Sequence, residues 1–326
     1  MGASITGTGS FLPAQRVSNK DLERSIDTSD EWIVQRTGIR FRHLLTKDEI
    51  PSDMGVQAAH RALSAAKRSP ADVDLLLVAT NFPDMICPGS APFIAEALEL
   101  DSTPFLDLKA GCTGFVYGLV VADGMIRSGV SKCVLVVGME ALSRVADWED
   151  RRTCVLFGDG AGAAVLVAGE HDRGILGTAW YGDAEKKMLL HMPGGGVRIP
   201  ATPESVKSRQ HYLKMEGSGV FRSAVPMMEK ATHEALRAAD LALTDVDWVI
   251  PHQANNRIID SLTRRLGVPP ERVIVNVDQV ANTSTASIPI AFDQAVRDGR
   301  IVPGDIVVMT AFGAGVTYGA VVLRVS

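Results

Sequence analysis

The chain repeats itself. Ala58-Ala-His-Arg-Ala-Leu-Ser-Ala-Ala66 and Asp72-Val-Asp-Leu-Leu-Leu77 align without gaps on Ala231-Thr-His-Glu-Ala-Leu-Arg-Ala-Ala239 and Asp245-Val-Asp-Trp-Val-Ile250. Two alanine-rich helices can resemble each other by chance, so the order of the later segments carries the argument. Arg272-Val-Ile-Val-Asn276 answers the apolar run Pro104–Leu108, and Asp305-Ile-Val-Val-Met-Thr310 answers Lys132–Val137. Gly313–Gly319 with Ala320–Val325 answers Gly158–Gly162 with Ala163–Val167. A duplicated unit predicts two halves, residues 1–170 and 171–326. Each reads as an α/β unit of mostly parallel, doubly covered strands, because Val73–Ala79 and Lys132–Val137 are continuous apolar runs. Helices are expected at Ser18–Ile26, from a Thr28 or Ser29 cap to Gly38, at Ser52–Lys67 and at Ala91–Leu98. Tyr181–Lys214, rich in Gly, Pro and charge, reads as a long surface connection.

Sheets of this kind bind ligands beyond the carboxyl ends of their strands, and a pseudo-twofold pair would bring both sets of ends together. Three loops fall there. Asp107-Leu-Lys-Ala-Gly-Cys112-Thr-Gly-Phe115 hands a buried strand to a helix, where free N–H groups and the helix dipole favour a thiolate. Trp248-Val-Ile-Pro-His252 ends another strand on a histidine. Val277-Asp-Gln-Val-Ala-Asn282-Thr-Ser-Thr-Ala-Ser-Ile-Pro289 is a small-residue turn at the counterpart of the Cys112 turn. Singly, these residues read as a packed thiol, a structural imidazole and a cap. Together they could take an acyl group onto sulfur and donate hydrogen bonds to an enolate, as decarboxylation of a malonyl thioester requires. A papain-like protease also orders Cys, His and Asn in this way, but no Trp follows Cys112 and the cysteine lies deep in the chain. Gly158-Asp-Gly-Ala-Gly162 runs into an apolar β-like segment, not a helix, so it reads as a tight hairpin turn and not as a dinucleotide cradle.

Bulk properties exclude other classes. The 326 residues can bury a large core, and a net charge of −5 with no basic run argues against nucleic-acid binding. The four cysteines, Cys87, Cys112, Cys133 and Cys154, are widely spaced, which fits neither a zinc site nor a disulfide framework and does fit a reducing cytoplasm. Cys133 and Cys154 lie in apolar runs and read as core. No apolar stretch is long enough to span a bilayer. Met1-Gly-Ala-Ser-Ile-Thr6 formally matches an acylation pattern, but the segment reads as a first strand and turn.

Six ordered segments now resemble the thiolase-fold condensing enzymes, and within them β-ketoacyl-acyl-carrier-protein synthase III. They are Thr28-Ser-Asp-Glu-Trp-Ile with Arg36-Thr-Gly-Ile-Arg40, the Cys112 turn, Asp150–Gly162, Pro251-His-Gln-Ala-Asn255, Ala281–Pro289 and Phe312-Gly-Ala-Gly-Val-Thr-Tyr-Gly319. The resemblance covers nearly the whole chain. It implies a five-layer α-β-α-β-α arrangement, a homodimer, an acyl-CoA primer and malonyl-acyl carrier protein, with no metal and no cofactor beyond the coenzyme A thioester as substrate. Cys112 would be acylated, while His252 and Asn282 bind the malonyl thioester. The backbone N–H groups of Cys112 and Ala314 would form an oxyanion hole. Trp32 and Arg151 would hold the adenine, with Arg36, Gly217, Phe221 and Asn255 on tunnel or nucleotide positions, and Cys87 facing the partner's acyl pocket. Arg222 and Arg257 would dock the acidic carrier protein. Lys109, Gly111, Tyr318 and Ala314 depart from the family pattern, and Ala314 requires a negative φ. The alternatives are acyl transfer to an oxygen or nitrogen acceptor, and a non-catalytic acyl-binding role.

Overall fold

The computed structural model describes residues 2–169 and 173–326. Met1 and the expected division between residues 170 and 171 lie outside the described residues. The apolar runs form two sheets. The first contains β1 (Ala3–Phe11), β2 (Leu75–Ala79), β3 (Phe105–Leu108), β4 (Cys133–Ala141) and β5 (Asp159–Ala168), in the order β1-β5-β4-β2-β3. The second contains β6 (Gly174–Gly182), β7 (Trp248–Pro251), β8 (Ile306–Gly313) and β9 (Thr317–Arg324), in the order β7-β8-β9-β6. β2 pairs in parallel with β3 and β4, as β7 does with β8; the remaining pairings are antiparallel. Both sheets are therefore mixed, and β6, β9, β8 and β7 occupy the places of β1, β5, β4 and β2.

The helices are α1 (Asp30–Thr37), α2 (Pro51–Ala65), α3 (Ala91–Ala97), α4 (Gly114–Arg127), α5 (Gly217–Ala238), α6 (Asn256–Leu266) and α7 (Ser287–Arg297). Strand alternation sorts the core into layers. Leu75, Leu77, Val134 and Val136 pack with Val307, Met309, Val321 and Leu323 around α4 and α7. Leu76, Val78, Leu135 and Val137 face outward onto α2 and α3, while Val308 and Val322 face α5 and α6. The result is the expected five-layer α-β-α-β-α arrangement.

The repeat has a packing cause. A Cβ on Gly7 would lie 2.4 Å from Ala62 O and 2.3 Å from Ala66 N. In the second half a Cβ on Gly177 would lie 2.3 Å from Ala235 O and 2.7 Å from Ala239 N. Each sheet thus lets its long helix rest on an outer strand through a glycine, and the shared alanines are the residues that touch it.

Several local expectations change. Gly158–Gly162 is no hairpin turn: Gly160 and Gly162 lie inside β5, and a Cβ on Gly162 would sit 2.7 Å from Pro289 Cβ. The glycines serve close packing of α7. The apolar run at Cys154–Leu156 is a 3₁₀ turn with Cys154 buried, and the first helix shrinks to Asn19–Leu22 behind a Ser18 capping box. Arg272–Asn276 keeps its place beside β7 through one bridge, Val249 to Val273, because Gln253 Oε1 accepts the Asn276 N–H. β3, expected to be buried, is an edge strand with Phe105 and Leu106 exposed. Among the described residues no helix is long and apolar enough to cross a membrane.

The long connection carries a short strand pair, Leu190–His191 with Lys214–Met215, and is tied down by Asp147, which accepts from Arg209 Nε at 3.1 Å and Lys214 Nζ at 3.2 Å. Hydrogen bonds from Arg209, reinforced by Lys214, hold the Asp147 carboxyl down to about 2. Its contribution to stability is complete above the ordinary carboxylate range and disappears as pH falls toward 2. Asp147→Asn should therefore lower the melting temperature by a few degrees at pH 7. The gap between variant and wild type should close as calorimetry is repeated at falling pH.

Candidate active site

The carboxyl ends of the two sheets meet around a cavity of about 270 Å³. Its inner wall includes Cys112, His252, Asn282, Phe157, Phe312 and Gly313, and its exposed rim includes Arg36, Arg152, Phe221 and Arg257. Trp32, Gly217 and Asn255 also line it.

Cys112 sits just ahead of α4, whose N-cap is Thr113. Gly111 has φ +60°, and a Cβ there would lie 2.4 Å from Ala314 N; a Cβ on Gly313 would lie 2.3 Å from Cys112 N. Glycine is required at both places for the two backbones to interleave, and this sets the Ala314 N–H beside the cysteine turn. Ala314 itself is not among the residues with positive φ, as its side chain requires. The helix start does not leave a thiolate at rest. Although Cys112 keeps some exposure to the cavity, burial in the surrounding protein pushes its thiol up to about 12. Lys109 is exposed.

His252 continues β7, its N–H donating to Thr310 O at 2.8 Å. Burial pushes its imidazole down to about 4, so the ring is neutral near pH 7. Its Nδ1 lies 2.7 Å from Ser287 Oγ, which also accepts the Gln253 N–H at 3.3 Å. Ser287 is fully buried and Nδ1 is the acceptor its hydroxyl hydrogen can reach. Nδ1 therefore accepts and Nε2 carries the ring hydrogen. Asn282 is held by its backbone, donating to Leu156 O at 2.9 Å and accepting from Gly158 N at 3.0 Å. Its Oδ1 accepts the Ser284 N–H at 2.8 Å, which leaves the carboxamide N–H₂ unengaged. Ala281 (φ +60°, ψ −164°) and Ser284 (φ +51°) flank it in backbone regions that non-glycine residues seldom adopt, strain that collects where geometry is functionally fixed.

Sequence reasoning missed a buried polar group behind the cysteine. Glu140, at the end of β4 and fully buried, accepts from Asn81 N at 2.9 Å and from Asn81 Nδ2. Ser284 Oγ lies 3.4 Å from both Glu140 Oε1 and Cys112 Sγ. The available signal was an acidic residue closing an otherwise apolar strand.

The remaining expected residues divide. Ser29 Oγ caps α1 by accepting the Trp32 N–H, and one helical turn puts the Arg36 guanidinium 4.8 Å from the Trp32 ring centre. Arg151 lies 5.5 Å over the same ring and bonds Asp27, outside the cavity lining, while its neighbour Arg152, not anticipated, lines it. Asn255 caps α6 and donates to Arg36 O at 3.2 Å, joining the two rim helices. Arg222 is exposed on α5 beside Glu216 and does not line the cavity. Cys87 is exposed and stands apart from it. Tyr318 is buried and stacks on Tyr181.

Comparison with known proteins places this geometry. Residues 106–184 match the model of the family described as 3-oxoacyl-[acyl-carrier-protein (ACP)] synthase III, and residues 236–325 match that of its C-terminal part. The chain is 50% identical to the β-ketoacyl-[acyl-carrier-protein] synthase III of Rhizorhabdus wittichii over 99% of both chains. It is 49% identical to the protein of the same name from Thioalkalivibrio sulfidiphilus over 99% of both. The crystal structure of 3-oxoacyl-[acyl-carrier-protein] synthase III from Aquifex aeolicus superposes with a TM-score of 0.91 at 43% identity, covering 99% of this chain and 100% of that one.

Proposed function

The chain belongs to the 3-oxoacyl-[acyl-carrier-protein] synthase III family, and from that premise we propose that it joins an acyl-CoA primer to malonyl-acyl carrier protein by decarboxylative Claisen condensation, the step that starts fatty-acid synthesis. The observation that carries the reading is that Cys112, His252 and Asn282 line one cavity, with a ring N–H on His252 and the Asn282 N–H₂ left without protein acceptors. Nothing in the site favours an oxygen or nitrogen acceptor over a carbanion.

In the first half-reaction the Cys112 sulfur attacks the primer's thioester carbonyl. The backbone N–H groups of Cys112 and Ala314 take the developing oxyanion, and coenzyme A leaves. Trp32, Arg36 and Arg151 bind the adenine end. A planar base between Trp32 and Arg151 needs about 7 Å, two contacts of about 3.5 Å, so Arg151 moves outward from its 5.5 Å position when the nucleotide enters. Gly217, Phe221 and Asn255 border the pantetheine. In the second half-reaction Arg222 and Arg257 receive the acidic carrier protein. Loss of carbon dioxide leaves an electron pair on the malonyl α-carbon. His252 Nε2–H and the Asn282 N–H₂ hold it as an enolate by bonding the thioester oxygen. The carbanion then attacks the acyl-cysteine and the Cys112 thiolate departs.

A homodimer completes the reading. Phe105 and Leu106 lie exposed on the unpaired β3 edge, and Met85 and Ile86 (85% exposed) lie exposed in the loop after β2, apolar surface suited to a second copy. Cys87 on the same loop would then face the partner's acyl pocket. Phe105→Asp should shift sedimentation from dimer to monomer; an unchanged dimer contradicts this interface. The four free cysteines suit a cytoplasmic setting.

The reaction is tested with malonyl-acyl carrier protein carrying ¹³C in its free carboxyl. One labelled carbon dioxide per β-ketoacyl-carrier protein is expected. Consumption of acyl-CoA without release of label overturns the proposal.

A further inference from the structure

The loading step as described has no proton acceptor for the Cys112 thiol. Burial keeps that sulfur protonated, and His252 offers it no lone pair, because Ser287 occupies Nδ1 and Nε2 carries hydrogen. We propose that Glu140 supplies the missing base through Ser284, whose hydroxyl stands 3.4 Å from both the Cys112 sulfur and Glu140 Oε1. This rests on the reading of Cys112 as the acylated nucleophile and assigns a task to a group that reading leaves idle.

The geometry favours a relay over a static brace. Ser284 has one hydroxyl hydrogen and two acceptors within reach, so donation to sulfur and donation to carboxylate are alternatives. Asn81 fixes the base and the middle of the path: its backbone and side-chain N–H groups bind Glu140 Oε1, and its side chain also reaches Ser284 Oγ at 3.3 Å. Ser284 holds its position at φ +51°, a conformation the sequence maintains without glycine.

The charges around Glu140 are few. The β2 side presents Thr80 and Asn81, the 284 turn presents Ser284, and β5 presents Gly160 opposite it. Helices α2 and α4 pack on the strand with apolar residues such as Met54, Ala58, Phe115 and Leu119. Asp159, next along β5, binds Ser143 and the Leu45 N–H. Cys112 is the titratable neighbour, and no salt bridge reaches Glu140 among the described residues. Burial accordingly holds the carboxyl up to about 7, against the hydrogen bonds from Asn81 and Ser284 that favour its charged form. Near neutral pH it can both take and return a proton.

The step balances. As the Cys112 sulfur bonds to the acyl carbon, its proton passes to Ser284 Oγ and the Ser284 hydrogen passes to Glu140 Oε1. The bond from acyl carbon to coenzyme A sulfur breaks and the leaving thiolate takes a proton from solvent; Glu140 keeps the relayed proton and returns it by the reverse path when the Cys112 thiolate departs in the second half-reaction. Glu140 touches no substrate atom. It is a positioning residue for the proton of the loading step.

The test is rapid-quench acylation with acetyl-CoA between pH 5.5 and 9, read by intact-protein mass, for wild type, Glu140→Gln, Ser284→Ala and the double variant. Wild-type loading should rise with pH and level off above about 7. Each single variant should load about 100-fold more slowly at pH 7.5 and lack that rise, within the range for general-base catalysis. The double variant should be no slower than either single one. Once loaded, the variants should still be discharged by malonyl-acyl carrier protein, because decarboxylation does not draw on the relay. A wild-type pH profile in Ser284→Ala or Glu140→Gln overturns the relay, as does an equal loss at every pH. If Glu140→Gln does not fold, Ser284→Ala decides alone. Failure of the wild type itself to load Cys112 would instead sink the functional reading.

Discussion

Cys112→Ser is expected to lose acyl loading by about 1,000-fold or more while folding normally, because a serine hydroxyl is a far weaker nucleophile than a thiol at the same position. Burial in the surrounding protein pushes the thiol up, toward its protonated form. Its activation depends on donors that stabilise the tetrahedral oxyanion and on removal of its proton, and no resting thiolate is available to a replacement that keeps only the shape. The measurement is the mass of the protein after exposure to acyl-CoA. Loading of Cys112→Ser within tenfold of wild type would remove Cys112 from the nucleophile's role.

Asn282→Ala and His252→Ala should behave differently. Each is expected to load acyl-CoA at close to the wild-type rate, then form β-ketoacyl product about 100- to 1,000-fold more slowly, since each removes one donor from the enolate oxygen. The division of labour follows from geometry. His252 Nε2–H and the Asn282 N–H₂ are the donors left over after Ser287 and Ser284 have engaged the other side of each group. Burst-phase measurement separates the half-reactions. Loss of loading in a folded Asn282→Ala would show that the two steps are not divided as described.

The two sheets were legible because the apolar runs alternate between two buried faces, and the duplication predicted where Cys112, His252 and Asn282 would converge. The alanines that revealed the repeat are the contacts of Gly7 and Gly177, so the strongest sequence signal had a direct packing cause. Other features were hidden for physical reasons. An apolar strand such as β3 reads the same whether its cover is its own chain or a second one. Gly160 and Gly162 read as a turn because glycine signals close approach as readily as reversal. The partners that orient the site, Ser284 and Ser287, sit in a run of small polar residues without period, and Glu140, an acid closing an apolar strand, reads equally as the strand's polar end. Against the thiolate expected at the helix start, burial of the sulfur pushes the thiol up.

The most direct measurement is stepwise. The protein is loaded with acyl-CoA, freed of excess, peptide-mapped by mass spectrometry and then given malonyl-acyl carrier protein. The predicted result is one acyl group on the Cys112 peptide that disappears as an equal amount of β-ketoacyl-carrier protein forms. An adduct elsewhere, or one on Cys112 that the malonyl carrier protein leaves in place, would contradict the account.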